Sequence, residues 1–132
     1  MSRFIKQSDV ERADFDWGSA GMRLQASTSG CTSIVVMDVT LAPGGGHNFH
    51  RHPNQDELII VKTGAVEQWI GEEHTTLRVG DSVYLDKDVV HASFNEGLVD
   101  AELQVILAPS IGEGSYELID VSGDAPWNTL RG

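Results

Sequence analysis

Cysteine occurs once in this chain of 132 residues, at Cys31, and a single thiol excludes an intramolecular disulfide. Basic residues are scarce as well: nine Lys and Arg stand against twenty Asp and Glu, a formal net charge of −11. That balance repels a polyphosphate backbone at range and leaves no basic stripe for counterion release, so nucleic acid is not an expected partner. Long apolar runs are missing too. Gly, Asp, Glu or Lys interrupts each hydrophobic stretch before the roughly 18 residues that a membrane span needs, so no membrane association is expected. Residues 1–10 are too charged to form the apolar centre of a secretory signal. Together these absences lead to the expectation of a cytoplasmic chain whose acidity serves solubility.

Helical periodicity is also absent from the middle of the chain, where no segment carries apolar residues at i, i+3, i+4 and i+7 over three turns. Apolar and β-branched residues come instead in short bursts at 33–41, 58–63, 65–70, 82–85, 91–94 and 101–108, separated by Gly, Pro, Asn and Asp. That spacing predicts an all-β barrel or sandwich in a single domain, 1–132, with N-terminal strands in 1–43 and a C-terminal strand and tail in 101–132. A short helix or turn is expected around 8–13. Gly112, Gly114, Gly123 and Pro126 predict that 109–132 runs as an extended tail over the outside of the barrel. Trp17, Trp69 and Trp127 read first as packing residues, since an indole buries a large apolar area wherever it lands. The run Gly44, Gly45, Gly46 lacks a following Lys-Ser or Lys-Thr and reads as a tight lead-in to a strand, not as a phosphate cradle.

All five histidines lie within residues 47–91. His50 and His52 sit two apart in a strand-like segment, which places both imidazoles on one face. Glu57 follows across the turn-prone Pro53-Asn54-Gln55-Asp56, so the chain can bend and return a carboxylate toward the same point. Neutral imidazoles and a carboxylate suit a first-row divalent metal. His47, with opposite parity on a regular strand, reads as lying behind the ligands or at the surface. Arg51 is expected to point outward to surface carboxylates, and His74 to be solvated in a hairpin turn. Alternation puts Ser93 and Asn95 on the side of His91, and Ile59 and Val61 on the side of Glu57, lining a largely apolar cavity. Phe49, Met37, Phe94 and Gln68 are further cavity residues on this reading. Gly112-Glu113-Gly114-Ser115 lacks the context of a nucleophile elbow, and Cys31 lacks a basic or thiol neighbour that would activate it.

The text Gly44-x5-His50-x-His52-x4-Glu57-x6-Gly64 resembles the first motif of the cupin superfamily at every fixed position. Gly80-x5-Asp86-x-Asp88-x2-His91-x3-Asn95 resembles the second at its Gly, His and Asn, although Asp86-Lys87-Asp88 replaces the usual Pro-x-Gly turn. The resemblance spans 44–95. It implies a double-stranded β-helix, the cupin jelly-roll barrel, of six to eight strands, often a homodimer. It also implies one divalent metal per chain held by His50, His52, Glu57 and His91. Iron or manganese suits oxygen chemistry at such a site, and zinc, nickel or copper is accepted by the same ligands.

Three functions stay open at this point. The first is dioxygenase-like oxidation of a small, oxygen-rich, chelating substrate such as a diketone, enol or hydroxy acid, with Glu57 exchanging a proton. A second is non-redox isomerisation or lysis of a sugar acid, for which no unambiguous base is legible beyond the ligands. The third is a non-catalytic small-molecule binding module. Many reactions share this fold, so the fold does not choose among them.

Overall fold

The computed structural model describes residues 3–112 and 114–132. Its strands, in chain order, are β1 Arg12–Phe15, β2 Gly18–Leu24, β3 Val35–Leu41, β4 Gly46–Arg51, β5 Asp56–Thr63 and β6 Ala65–Ile70. They continue with β7 Glu73–Arg78, β8 Ser82–Leu85, β9 His91–Phe94, β10 Ala101–Ala108 and β11 Ile119–Asp120. Two antiparallel sheets result, one ordered β1-β2-β3-β10-β5-β8 and the other β11-β4-β9-β6-β7. This is the all-β jelly-roll barrel that the resemblance implies.

Strict alternation builds the interior. Val35, Met37, Val39 and Leu41 of β3 are buried while the residues between them are not, and β10 repeats the pattern with Ala101, Leu103, Val105 and Leu107. Ile59 and Val61 of β5, Val66 of β6, and Val83 and Leu85 of β8 complete this core. Strand β9 departs from alternation because all four of its residues are buried. His91 and Ser93 face the barrel, whereas Ala92 and Phe94 belong to a separate cluster with Phe49, Trp69 and Val121, against which Val90, Trp127 and Leu130 pack. The segment after β11 therefore lies over the outer face of the β4-β9-β6 sheet, as the sequence predicts for the tail.

Several expectations are corrected. The short helix or turn expected around 8–13 is a single 3₁₀ turn at Gln7–Asp9, and the rest of that segment enters strand β1. Phe49 and Phe94 face the tail and not the cavity, packed with Trp69, which is a packing residue as expected. His74 is exposed but lies in β7, not in the turn, and stacks on Trp69 with ring centroids 4.2 Å apart. Arg51 points outward as expected and pairs with Asp88 at 2.6 Å. Glu113, within the segment read as no nucleophile elbow, lies outside the described residues, while Ser115 is buried and its hydroxyl accepts the Ala26 N–H at 3.1 Å.

The glycine lead-in to β4 has a steric cause. A Cβ at Gly45 would stand 2.2 Å from the Trp17 carbonyl oxygen, so only glycine lets the β1–β2 turn approach this closely. Gly45→Ala is expected to destabilise the chain by about 1–3 kcal/mol, the range for forced overpacking, as read from urea denaturation midpoints. Gly64 closes the β5–β6 turn at φ +73 with the Asp100 carbonyl oxygen 2.7 Å from where its Cβ would be.

Candidate metal centre

The histidines converge because a bulge re-phases β4. Gly46 pairs with Phe94 and His47 with Ser93, but His50 pairs with His91, so Asn48 and Phe49 stand opposite Ala92 alone. Without that extra residue, His47 and His50 would point to opposite faces. With it, both face the barrel. His47 is thus inside, beside the cluster, and its placement by regular alternation is overturned. Its ring meets the Trp17 indole edge-on at 4.4 Å and stands 6.0 Å from the His50 ring.

His50, His52 and His91 are all buried, and their ligating nitrogens lie within 4.8 Å of one another. Each ring is anchored from behind through Nδ1. His50 Nδ1 donates to the Asn48 carbonyl at 2.6 Å, His52 Nδ1 to the Glu117 carbonyl at 2.6 Å and His91 Nδ1 to the Val89 carbonyl at 3.1 Å. A carbonyl only accepts, so Nδ1 carries a proton in each ring and Nε2 is turned toward the common centre. Glu57, on the opposite sheet, reaches the same point: its Oε1 is 2.8 Å from His91 Nε2 and 3.3 Å from His52 Nε2.

Burial, followed by the neighbouring charges of His91 and His52, holds the His50 imidazole down at about 3, which leaves it neutral and able to donate a lone pair. Burial alone pushes the Glu57 carboxyl up, but the electrostatic influence of the neighbouring His52 and His91 rings outweighs it and holds the carboxyl below its ordinary value. His52 shows the reverse balance: burial pulls it down, and Glu57 together with the Glu117 carbonyl raises it above the ordinary value. His47 is lowered, chiefly by burial.

Among the described residues, Glu57 Oε1 and His91 Nε2 are buried atoms with no hydrogen-bond partner. Two facing atoms left unsatisfied in the interior are costly unless a cation lies between them. The three histidines could therefore hold a metal ion, and the donor set fits one.

Ser93 and Asn95 stand as the alternation predicts. The Ser93 hydroxyl donates to Gln68 Oε1 at 2.6 Å, which spends Gln68 on internal support, and Asn95 ties the Leu41 and Val99 carbonyls at 2.8 Å each. Sequence reasoning missed Gln55, which is buried behind the turn. Its amide nitrogen donates to the Pro109 and Ser115 carbonyls at 2.7 and 3.1 Å, and its Oε1 accepts the Glu117 N–H at 3.1 Å. Gln55 therefore fixes the residue whose carbonyl orients His52. Gln55→Leu is expected to cost about 1–3 kcal/mol through the unpaired backbone groups, measured in urea. It is also expected to weaken metal held at His52 by about 10–100-fold, measured by competition with a chelator. Tyr116, on the same loop, was missed as well; its ring is 6.2 Å from that of His52.

Comparison with known proteins agrees with this geometry. The family model for the cupin domain matches residues 37–107. Protein SchB of Streptomyces halstedii is 31% identical over 109 residues, covering 83% of this chain and 79% of SchB. The tetracenomycin polyketide synthase protein TcmJ of Streptomyces glaucescens is 26% identical over 105 residues, covering 80% of this chain and 70% of TcmJ. A double-stranded β-helix protein from Klebsiella pneumoniae superposes with a TM-score of 0.72 at 22% identity, over 91% of this chain and 99% of that one. With both motifs in place, the two-sheet barrel around them and a family match across more than half its length, this chain belongs to the cupin domain family.

Proposed function

We propose that this cupin is a metal-dependent enzyme that holds one divalent ion with His50, His52, Glu57 and His91 and oxidises a small chelating substrate with dioxygen. The observation that carries the reading is the set of three histidines tied back through Nδ1, with Glu57 Oε1 and His91 Nε2 left unsatisfied at their centre. A redox-active ion held by His50, His52, Glu57 and His91 would supply the electron-transfer chemistry with which an oxygen-rich chelating substrate reacts with O₂. In a dioxygenase-like reaction both atoms of O₂ end in the product, so no further reductant is required.

The chain's own residues bind, orient and shelter. The Nδ1 anchors fix the three rings, so no reorganisation is needed when substrate arrives. Glu57 is the buried carboxylate at the common centre and would exchange a proton with an enol or hydroxy acid as that substrate binds or leaves. The apolar wall of Ile59, Val105 and Leu107 keeps bulk water away from that transfer. His47 offers a donor and an acceptor to a substrate oxygen, because neither ring nitrogen has a hydrogen-bond partner among the described residues.

An enolised diketone is the substrate class we favour. TcmJ is by name a polyketide synthase protein, and polyketide chains are rich in 1,3-dicarbonyl groups that chelate metals. The test is an oxygen electrode trace with iron- or manganese-loaded protein and a panel of 1,3-diketones and phenols. Uptake that is stoichiometric with substrate loss and absent in His91→Ala supports the reading, and flat traces across the panel refute it. Turnover undiminished under strict anaerobiosis would shift the assignment to non-redox isomerisation or lysis, which His47 favours by supplying the base that the sequence alone did not reveal. We also propose a homodimer, supported by the free outer edge of β1, whose four residues are all exposed. Light scattering at twice the 14.3 kDa chain mass tests it.

A further inference from the structure

The outer faces of the two sheets are covered unequally. Over β4, β9 and β6 the tail lays Val121, Trp127 and Leu130 against Phe49, Trp69 and Phe94. On the six-stranded sheet an apolar row crosses the adjacent strands β2, β3, β10, β5 and β8. Leu24 pairs with Val36, Val36 with Ile106, Ile106 with Leu58, and Leu58 with Tyr84. Paired residues point the same way, and their chain neighbours Val35, Met37, Ile59, Leu85 and Leu107 are buried in the barrel, so the row faces outward. It belongs to neither core cluster, and Tyr84 at its end is 58% exposed.

Strand β5 gives this face a direction. Its outward positions are Asp56, Leu58, Ile60 and Lys62: an acid, two aliphatics and a base. Asp86 joins Asp56 at the Tyr84 hydroxyl, which makes one end of the face acidic. At the other end Arg12 and Lys62 border one hollow with Glu102 and with Arg23 and Asp38, which pair with each other. Arg12 is held there by the Ser19 and Thr40 hydroxyls at 2.8 Å each, not by a carboxylate. Turning β5 end for end therefore sets acid over base and aliphatic over aliphatic.

We infer that a second copy of the chain covers this face, related by a two-fold axis that crosses β5 near Ile59. Leu58 then meets the partner's Ile60, and Asp56 meets the partner's Lys62. The inference rests on the homodimer proposed above and places its contact on the face of the sheet instead of the edge of β1. An isologous contact needs a patch complementary to itself, and the outward order of β5 meets that requirement within one strand. Stacked sheets keep their strands within about 30° of each other, so two antiparallel copies of β5 can stay in contact over these four positions. The aliphatic row supplies the apolar area, and the two symmetry-related Asp56–Lys62 pairs fix register and direction. Glu57 lies on the inner side of the same strand, so the two candidate metal centres stand on opposite sides of the contact and toward opposite ends of the dimer.

The test is sedimentation velocity of the full chain and of four variants over a concentration series, with circular dichroism to check that each keeps the strand content of the parent. The parent is expected at twice the 14.3 kDa chain mass and Ile60→Lys, which sets an ammonium into the aliphatic contact, at the mass of one chain. Asp56→Lys and Lys62→Asp each bring like charges together and should raise the dimer dissociation constant by about tenfold or more. The double variant Asp56→Lys/Lys62→Asp restores opposite charges and should return it to within about threefold of the parent. Asp56→Lys and the double variant both lose the bond from the Lys87 N–H to Asp56, so recovery between them reports the contact and not the fold. A dimer that persists at parent affinity in Ile60→Lys overturns the inference and leaves the homodimer to the edge of β1. Failure of the double variant to recover also overturns it, because the two-fold arrangement requires the swap to be neutral. A parent that stays monomeric at millimolar concentration refutes both the inference and the homodimer.

Discussion

His91→Ala is expected to abolish the stabilisation that manganese or iron confers on this chain while leaving the barrel folded. A ligand present at 100 times its dissociation constant stabilises the native state by about 2.7 kcal/mol, and that gain depends on binding alone. Loss of even an outer partner to a metal-bound histidine weakens affinity by about 10–100-fold, so loss of a ligand itself should exceed that and remove the gain. The measurement is the difference in melting temperature with and without metal, alongside metal content by elemental analysis. Glu57→Gln is expected to behave in the same way, because the amide keeps the volume of the side chain but loses the charge that balances the cation. A metal-induced shift that survives in both variants would place the ion elsewhere. Retention in Glu57→Gln alone would confine the ligand set to the three histidines.

Phe49→Ala is expected to be the most damaging single truncation outside the metal centre, at about 3–5 kcal/mol. Phe49 is 1% exposed, on the face of β4 turned from the barrel. Its ring stacks on Trp127 at 5.6 Å and meets Trp69 and Phe94 edge-on at 5.4 and 5.9 Å. A domain of this size carries about 5–15 kcal/mol in total, so the loss takes a large part of it. Trp127→Ala should cost less, because the indole is only half-buried and the tail can partly collapse onto Phe49. Guanidinium denaturation of the two variants and of the double mutant measures the coupling, and strict additivity would mean that the tail does not pack on Phe49 as described.

Most of the barrel was legible because its strands obey a simple physical rule. The segments 65–70, 82–85, 91–94 and 101–108 coincide with β6, β8, β9 and β10, whose side chains alternate or sit between two packed layers. Strand β7, with the sequence Glu-His-Thr-Thr-Leu-Arg, was missed because it is an edge strand with almost no buried residue to mark it. Strands β1 and β2 were foreseen only as unplaced N-terminal strands, since Gly, Ser and Ala give no strong hydrophobic period. At the candidate metal centre, His50, His52 and Glu57 stood out by residue type and spacing, and His91 by the resemblance of its motif. The groups that aim them did not, because the Asn48, Val89 and Glu117 acceptors are backbone carbonyls, and a carbonyl leaves no trace in the identity of its residue. His47 was misplaced for a different reason: parity is reliable only while the ladder is regular, and no residue between 47 and 50 announces the irregularity.

That irregularity makes the length of one short stretch a determinant of cavity chemistry. Removing Asn48 would restore regular pairing without replacing any other side chain, and it would rotate the preceding half of β4 by one face. An imidazole would leave the chamber, and Gly46, now against Phe94, would turn inward in its place. A single codon gained or lost here therefore exchanges a polar cavity wall for a bare one while the half of the strand that carries His50 stays as it is. Such an indel offers lineages built on this barrel a route to new substrates that point substitution does not provide.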